Sequence, residues 1–324
     1  MPLYNLPTIE RSNFRNRLIN GDMKVDMRNG AAAQTITAVA ALAYTVDRFY
    51  AYSTGANVTG QQIAGTNAAQ FRYQFTGAAS TTKIGFAQRI ETINCYDLVS
   101  KNCTLSVDLS NSLLTTVTWT VSRATTTADT FGTLASPTVT QIATGTWTVS
   151  STLANYTAAV ALDASSNKGI QIELSVAAQT SGTWVIGNMQ FEEGTAATPF
   201  EVVPTEIQKV RCFRYLPAFR SSSTNNTLPT NMMGASTTLT TGVIRFPATA
   251  RTHPTGLVVS AASHISISRP SVGNTALTNI VHAIAGVEAG QIETTVASGM
   301  VVDIPYFIYF NSASGYIYWT GCEL

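Results

Sequence analysis

The chain has 324 residues, of which 45% are hydrophobic and 11% are charged, whereas soluble domains carry about 25% charged residues. Its 19 basic and 18 acidic residues leave a formal net charge of +1. This composition excludes a disordered chain and argues against a nucleic-acid partner, and the length predicts more than one domain.

The first predicted segment is an N-terminal arm, residues 1–15. It lacks the basic start and apolar run of a secretory signal, so we expect synthesis in the cytoplasm. Residues 38–43 form an apolar run too short to cross a bilayer, so no membrane insertion is expected. Basic side chains cluster in and after this arm. The cluster comprises Arg11, Arg15, Arg17, Lys24 and Arg28. These side chains either contact an acidic neighbouring protein or pair locally with Asp22 and Asp26.

Apolar and polar residues alternate in many short runs between residues 16 and 203. A period of two places one face of a strand on a core and the other face in water. The clearest runs are residues 23–27, 71–75, 105–109, 117–121 and 170–176. Short strands separated by turns rich in Gly and Thr predict an antiparallel β-sandwich for residues 16–203.

Residues 204–215 are predicted to form a helical linker. Thr205 is a candidate N-cap, Gln208 stands where a capping box requires it, and Glu206 suits the first turn. Ile207 and Val210 recur at helical spacing and predict the apolar face. The fold class is therefore all-β, with two antiparallel β-sandwich domains joined by a short helix.

A second β-sandwich is predicted for residues 216–324. Its clearest strands are residues 243–246, 257–259, 264–268, 304–310 and 316–319, and the last of them is expected at a sheet edge. Residues 304–310 are apolar on both faces. This pattern predicts burial against a second sheet or against another subunit.

Three segments carry a resemblance to a known family. They are residues 16–23 (Asn-Arg-Leu-Ile-Asn-Gly-Asp-Met), residues 44–49 (Tyr-Thr-Val-Asp-Arg-Phe) and residues 187–194 (Gly-Asn-Met-Gln-Phe-Glu-Glu-Gly), which run on to Pro199-Phe200-Glu201. Their order resembles the jelly-roll domain, built like a carbohydrate-binding module, of bacteriophage tail-fibre and other virion appendage proteins. Cys212, Arg214 and Tyr215 resemble the segment that leads those proteins into a C-terminal β domain.

The resemblance implies a structural protein of the virion and no enzyme. Such a protein is a fibre-like appendage that displays β domains for contact with host-surface glycan. Its partners would be further copies of itself, as a homotrimer, and other virion proteins. The alternative is a capsid decoration or head-fibre protein with a purely architectural role.

Four aromatic residues are the candidate carbohydrate-binding residues. Sugar rings stack on aromatic faces, while amides and carboxylates satisfy the hydroxyls. Trp147 and Trp184 each follow a Gly-Thr pair beside a loop, so a surface position competes with burial in the core for both. Tyr50 and Tyr52 share one face of a strand and either line a concave sheet or pack in the core.

The sequence contains few candidate catalytic residues. Glu192 and Glu193 are neighbours in a predicted strand, so their side chains point to opposite faces. Two cross-strand carboxylate pairs stay open, namely Glu173 with Glu192 and Asp97 with Asp108. No catalytic residue is therefore assigned.

Metal and cofactor motifs are also missing from the sequence. The three histidines, at spacings of 11 and 18 residues, match no metal motif. The four cysteines lack a C-x-x-C spacing and are expected to be buried, reduced thiols. We therefore expect neither a metal nor a cofactor.

Overall fold

A computed structural model describes residues 14–39, 41–65, 70–269 and 273–324, so most of the predicted N-terminal arm lies outside the described residues. This part is built from antiparallel strands and one α-helix, which confirms the all-β prediction. It holds no helix long and apolar enough to cross a bilayer. The chain divides into two compact units. The first comprises residues 1–24, 31–45 and 49–204, and the second comprises residues 25–30, 46–48 and 205–324.

The first unit contains two six-stranded antiparallel sheets. One sheet has the order β1 (Gln34–Ile36), β4 (Val58–Ala64), β5 (Phe71–Thr76), β12 (Thr183–Glu193), β7 (Asn102–Asn111) and β10 (Ala154–Ala161). The other has the order β2 (Ala43–Tyr44), β3 (Tyr50–Thr54), β6 (Lys83–Ile90), β11 (Ile170–Val176), β8 (Thr115–Ala124) and β9 (Val139–Val149). Four of the five alternating runs lie inside these strands.

Aromatic side chains fill the space between the two sheets. Phe86 on β6 lies 5.5 Å from Tyr73 and 5.8 Å from Phe75, both on β5, between ring centroids. Phe49 stacks on the other side of Phe86 at 4.8 Å. These rings belong to different sheets and are all buried, so the two sheets pack face to face as a sandwich.

The segment before the first strand is bound to β12 by a side-chain amide. Asn16 donates from Nδ2 to the carbonyl of Met189 at 3.0 Å and accepts the Phe191 N–H on Oδ1 at 3.0 Å. Glu201 accepts the N–H of Asn16 at 2.9 Å. Two of the three segments that carry the family resemblance are thus joined to each other by buried hydrogen bonds.

The strand predicted over residues 23–27 is wrong. Met23 adopts φ = +58°, which is incompatible with an extended strand. Met23 and Val25 are nevertheless buried, and residues 27–31 form the expected turn. The alternation predicted the burial of Met23 and Val25, but Asp26 is also buried and Met27 is half-buried, so neither the backbone nor the burial follows a period of two.

Among the described residues of the basic cluster, the predicted local pairing holds for Lys24 alone, which pairs with Asp22 at 2.6 Å. The other described members pair with carboxylates distant in sequence. These pairs are Arg15 with Glu192 at 4.0 Å, Arg17 with Asp97 at 2.6 Å and Arg28 with Glu323 at 3.5 Å. Arg11 lies outside the described residues.

The second unit contains a three-stranded and a seven-stranded antiparallel sheet. The smaller sheet has the order β13 (Ala218–Arg220), β22 (Tyr316–Thr320) and β16 (Gly256–Val259). The larger has the order β18 (Gly273–Ala276), β17 (Ile265–Arg269), β21 (Pro305–Phe310), β14 (Asn226–Gly234), β15 (Leu239–Arg245), β20 (Ala289–Thr295) and β19 (Asn279–Ala285). The final strand was expected at an edge, and this is wrong, because β22 is paired on both sides.

Helix α1 (Thr205–Phe213) begins where the sequence predicts and ends two residues earlier. It belongs to the second unit, whereas the sequence predicted a linker. Its apolar face is also corrected: Ile207 and Val210 are 44% and 51% exposed, and Gln208 and Cys212 are buried instead. Residues 46–48 also belong to this unit and contribute to its interior.

A buried ionic cluster lies in the second unit. Arg48 Nη1 is 2.6 Å from Glu323 Oε2, and the Arg48 guanidinium carbon lies 3.4 Å from the centroid of the Tyr215 ring. Asp47 accepts the Met27 N–H at 3.1 Å. Burial, followed by the nearby carboxylate of Asp26, raises the pKa of Asp47 to about 8.

Candidate functional site

The first unit has a cleft of about 310 Å³ on the outer face of the sheet that contains β3, β6, β11, β8 and β9. We call it the tyrosine cleft, because Tyr50 and Tyr52 form one of its sides. Its volume is at the small end of the range of ligand pockets, about 300–1,000 Å³.

The strand β3 places both tyrosines on the cleft face. Ala51 and Ser53 alternate with them and point into the core, where Ala51 pairs with Phe86. Tyr52 pairs with Gly85 on β6, and a Cβ atom on that glycine would lie 2.1 Å from the Tyr52 ring. A residue without a side chain is therefore required for the Tyr52 ring to lie on β6.

Tyr52 is connected to the centre of the sheet by a hydrogen bond. Its hydroxyl donates to Glu173 Oε1 at 2.6 Å, and Lys83 Nζ lies 3.5 Å from the same oxygen. Lys83 also lies 5.3 Å from the Tyr52 ring centroid. Burial and the Glu173 carboxylate raise the pKa of Tyr52 above its usual value, so the phenol stays neutral.

Arg89 is held between two aromatic rings. Its guanidinium carbon lies 5.0 Å from the centroids of both Tyr50 and Phe131, and its Nε donates to Gln171 Oε1 at 3.0 Å. Burial raises the pKa of Tyr50, against the lowering effect of Arg89. Arg89 is 8% exposed, so the protein holds this cation in a fixed position inside the cleft.

Uncharged polar side chains line the other side of the cleft, together with the apolar residues Leu134, Pro137 and Val139. Thr120 and Ser122 project from β8, and Gln141 projects from β9 opposite Ser122. A β-bulge in β9 shifts the register between Val121 and Ser122, and this shift brings Gln141 onto the cleft face. Gln141 is exposed and Gln171 is half-buried, so both present amide groups toward solvent.

The cleft is suited to binding a polar, uncharged ligand. Amide and hydroxyl groups on β8, β9 and β11 donate and accept hydrogen bonds, while the aromatic rings provide apolar contact. Both tyrosines are nearly buried, at 2% and 7% exposure. They therefore offer only ring edges to a ligand. Gln141 offers an exposed amide, while the half-buried Gln171 offers its amide nitrogen and the remaining acceptor site of its oxygen, which also accepts from Arg89.

Neither carboxylate pair left open by the sequence is a pair of cross-strand neighbours. Asp97 lies in a short 3-10 helix and pairs with Arg17, whereas Asp108 lies on β7 and accepts hydrogen bonds from Asn155 and Asn188. Glu173 lies on β11 and Glu192 lies on β12, which belong to different sheets. Glu192 is 1% exposed and accepts hydrogen bonds from the Thr198 N–H and hydroxyl. Glu173 is the one carboxylate among the described residues that line the cleft. Glycoside hydrolysis by the common mechanisms needs two carboxyl groups about 5–9.5 Å apart.

Trp147 does not join the two tyrosines. It lies on β9 opposite Val117, on the inner face of the sheet, whereas the cleft opens on the outer face. Its ring centroid is 6.1 Å from that of Trp119 and 5.8 Å from that of Tyr156. Trp147 is half-buried and covers the space between the edge strands β9 and β10.

Trp184 occupies the core, so its assignment as a candidate carbohydrate-binding residue is wrong. Its side chain is 0% exposed and stacks on Phe75 at 5.4 Å between ring centroids. The turn before it, at Gly182 with φ = +65°, brings β12 into the middle of the sheet. A loop-adjacent tryptophan in the sequence thus proves to be fully enclosed, and no ring face is open to a ligand.

Sequence reasoning missed several residues of the cleft. Gln171 and Glu173 are the polar positions of a correctly predicted strand, so the alternation of residues 170–176 contained a signal for them. Arg89 and Gln141 lie on strands that the sequence did not single out. Phe131 reaches the cleft from a loop, and no local pattern marks it.

The cysteines and histidines contribute nothing to the cleft. All four cysteines are free and buried, as predicted, and burial raises the pKa of Cys95 and Cys103 to about 12. Within the described ranges, no group of three or more His, Cys, Asp or Glu side chains is arranged to hold a metal ion.

Comparisons with known proteins give distant structural likenesses. No protein-family model matches the chain, and no curated protein matches it by sequence. A carbohydrate-binding module of family 4 is similar over 54% of this chain and 98% of its own, with 14% identity and a TM-score of 0.36. The family 11 module from Clostridium thermocellum, in complex with a β-1,3-1,4-mixed-linked tetrasaccharide, covers 49% and 97%, with 14% identity and a TM-score of 0.31. The enzymatically active domain of tailspike protein 4 of bacteriophage CBA120 covers 56% of this chain and 22% of its own, with 13% identity and a TM-score of 0.35.

Proposed function

We propose that the first unit binds a glycan in the tyrosine cleft and that the protein is a non-enzymatic appendage of a bacteriophage virion. The observation that carries the binding proposal is the arrangement of Tyr50, Tyr52, Gln171 and Gln141 around one cleft. Aromatic groups and uncharged hydrogen-bonding groups converge there, as they do in sites that recognise sugars.

The binding mode follows from which groups solvent can reach. Gln141 and Gln171 exchange hydrogen bonds with sugar hydroxyls, because each amide both donates and accepts. The neutral Tyr52 hydroxyl and the Glu173 carboxylate mark the end of the cleft near Lys83. Arg89, fixed between Tyr50 and Phe131, keeps the aromatic wall in place.

The virion role rests on the family resemblance of residues 16–23, 44–49 and 187–201. In this proposal the chain forms a homotrimer, contacts other virion proteins and displays its β domains toward the host surface. The low charge, 11% of residues, suits large contacts between copies, since buried charges are costly. The alternative assignment, a capsid decoration or head-fibre protein, uses the same domains for assembly alone.

A glycan array tests the binding proposal. The purified full chain is applied to immobilised bacterial surface polysaccharides. The bound protein is then competed off with the same polysaccharide in solution. Competed binding to at least one polysaccharide supports the proposal, and the absence of binding to all of them contradicts it. New reducing ends after incubation would identify an enzyme instead.

Labelling of purified virions distinguishes the two structural roles. An antibody against the chain is expected to mark tail fibres or other appendages. Labels confined to the head would favour the decoration or head-fibre alternative. Particles without any label would contradict both roles and leave glycan binding as a separate question.

A further inference from the structure

The floor of the tyrosine cleft contains two polar residues of the central strand β11, Gln171 and Glu173. Gln171 pairs with Ser122 on β8. Glu173, two positions along β11, pairs with Thr120 on β8. Residues two positions apart lie on the same face of a strand, so the floor has a Gln171 level and a Glu173 level. The hydrogen bonds within the protein decide which groups at each level are available to a ligand.

Glu173 has one carboxylate oxygen that the protein does not use. Oε1 accepts the Tyr52 hydroxyl at 2.6 Å and lies 3.5 Å from Lys83 Nζ. Oε2 makes no hydrogen bond with any of the described residues, and the Glu173 side chain is 18% exposed. A carboxylate oxygen only accepts hydrogen bonds, and a partly buried one without a donor is costly. A ligand that enters the cleft must therefore donate to Oε2.

Thr120, which lies beside Glu173, also offers only an acceptor. The Thr144 hydroxyl donates to the Trp119 carbonyl at 2.8 Å, and the hydroxyl oxygens of Thr120 and Thr144 are 3.2 Å apart. A threonine hydroxyl has one proton, so Thr120 is the donor in the second of these bonds. The Thr120 oxygen then only accepts from a ligand. Both groups at the Glu173 level therefore require a ligand that donates.

The Gln171 level offers donors. Gln171 Oε1 accepts the Arg89 Nε–H at 3.0 Å, and among the described residues nothing accepts from Gln171 Nε2. Both protons of this amide are thus available to a ligand. The Ser122 hydroxyl makes no hydrogen bond within the described part of the chain, although Ser122 is 4% exposed and lines the cleft. Buried polar groups are nearly always hydrogen-bonded, so Ser122 is a second group suited to a ligand contact.

We infer that Glu173 sets the specificity of the tyrosine cleft by accepting a hydrogen bond from a free hydroxyl of the glycan. The inference rests on the proposed glycan binding and names the class of glycan. Its sugar presents an unsubstituted hydroxyl at the Glu173 level and an acceptor oxygen at the Gln171 level. A sugar with an O-methyl or O-acetyl group at the first position has no proton to donate and leaves Oε2 unpaired, so the cleft rejects it.

The substitution Glu173→Gln tests this inference on the immobilised bacterial surface polysaccharides. The amide has the same shape and still accepts from Tyr52, but it replaces a charge-assisted hydrogen bond to the glycan by a weaker neutral one. We expect the full-length variant to bind about tenfold more weakly. Glu193→Gln is the matched control, because Glu193 lies on β12 in the other sheet and pairs with Lys101. Its binding should equal that of the unaltered chain.

The substitution Tyr52→Phe separates a ligand contact of Glu173 from a merely structural role. It removes the hydrogen bond that Glu173 accepts from the protein and keeps the carboxylate, so it should weaken binding less than Glu173→Gln does. Urea unfolding verifies that each variant is folded. Equal losses in the two variants, or no loss in Glu173→Gln, would overturn the inference while glycan binding stands. If the unaltered chain binds no polysaccharide, the proposed function fails and the inference fails with it.

Fluorinated sugars test the donated proton directly. The monosaccharide components of the bound polysaccharide compete for the cleft in solution, and so do analogues in which one hydroxyl at a time is replaced by fluorine, which has no proton to donate. At one ring position the replacement should weaken competition by about tenfold. This loss should shrink in Glu173→Gln, because the amide nitrogen donates to fluorine. Equal competition by every analogue, or the same loss in Glu173→Gln, would overturn the inference.

Discussion

Tyr52 and Gly85 face each other on β3 and β6, and the Tyr52 ring occupies the space that a side chain on Gly85 would fill. This relationship positions the Tyr52 hydroxyl for its 2.6 Å hydrogen bond to Glu173. The shape of the tyrosine cleft therefore depends on Gly85, a residue that has no side chain.

Substitution Gly85→Ala should displace Tyr52 and destabilise the first unit. The new Cβ would lie 2.1 Å from the ring, and we expect the free energy of unfolding to fall by about 1–3 kcal/mol. Urea unfolding monitors the change. Gly286→Ala is the control, because a Cβ there meets nothing within 4 Å. Equal effects of the two substitutions would show that the Tyr52–Gly85 contact is unimportant.

The two candidate tryptophans should differ sharply in their contribution to stability. Trp184 is 0% exposed, so Trp184→Ala should lower the free energy of unfolding by about 3–5 kcal/mol. Trp147 is half-buried, and Trp147→Ala should cost about 1–2 kcal/mol. Both are measured by urea unfolding. A smaller loss at Trp184 than at Trp147 would contradict the burial described above.

The buried carboxyl of Asp47 should make the second unit less stable as the pH rises. Its pKa is raised from 3.8 to about 8, chiefly by burial. Between these values the folded chain binds the proton and the unfolded chain releases it. The stabilising contribution is complete below about pH 4 and is lost as the pH rises through 8, with a slope of up to ~1.4 kcal/mol per pH unit.

Urea unfolding at several pH values between 5 and 8 checks this dependence. Asp47→Asn should flatten the slope, because the amide stays neutral. Asp163→Asn is the control. Burial acts to raise the pKa of Asp163, but hydrogen bonds from Arg123, Ser166 and Ser165 outweigh this effect and lower the pKa. The contribution of the Asp163 carboxylate to stability is lost only as the pH falls below the usual pKa range of an Asp side chain. An unchanged slope in Asp47→Asn would refute the assignment.

Strand positions were predictable where polar and apolar residues alternate, as in residues 170–176, which coincide with β11. The strands β9 and β10 were missed, because Thr and Ala dominate them and give no clear period. The irregular segment at Met23 was mistaken for a strand, since apolar and polar residues alternate there in the sequence although the backbone is not extended.

The candidate site was predictable in part, for a related reason. A shared face for Tyr50 and Tyr52 follows from their spacing within one strand. Trp147 and Trp184 point away from the cleft because of sheet order and register, which depend on distant parts of the chain. The Arg89 position between Tyr50 and Phe131 likewise requires the tertiary fold.

The most direct test of the account is the affinity of the full chain for the glycan identified on the array. Titration calorimetry compares the unaltered chain, a Gln141→Ala and Gln171→Ala double variant, and a Gln74→Ala control on the other sheet. We predict that the double variant binds about tenfold or more weakly, because it loses two hydrogen-bonding amides, and that the control binds normally. Equal affinity of all three proteins would contradict glycan binding in the tyrosine cleft.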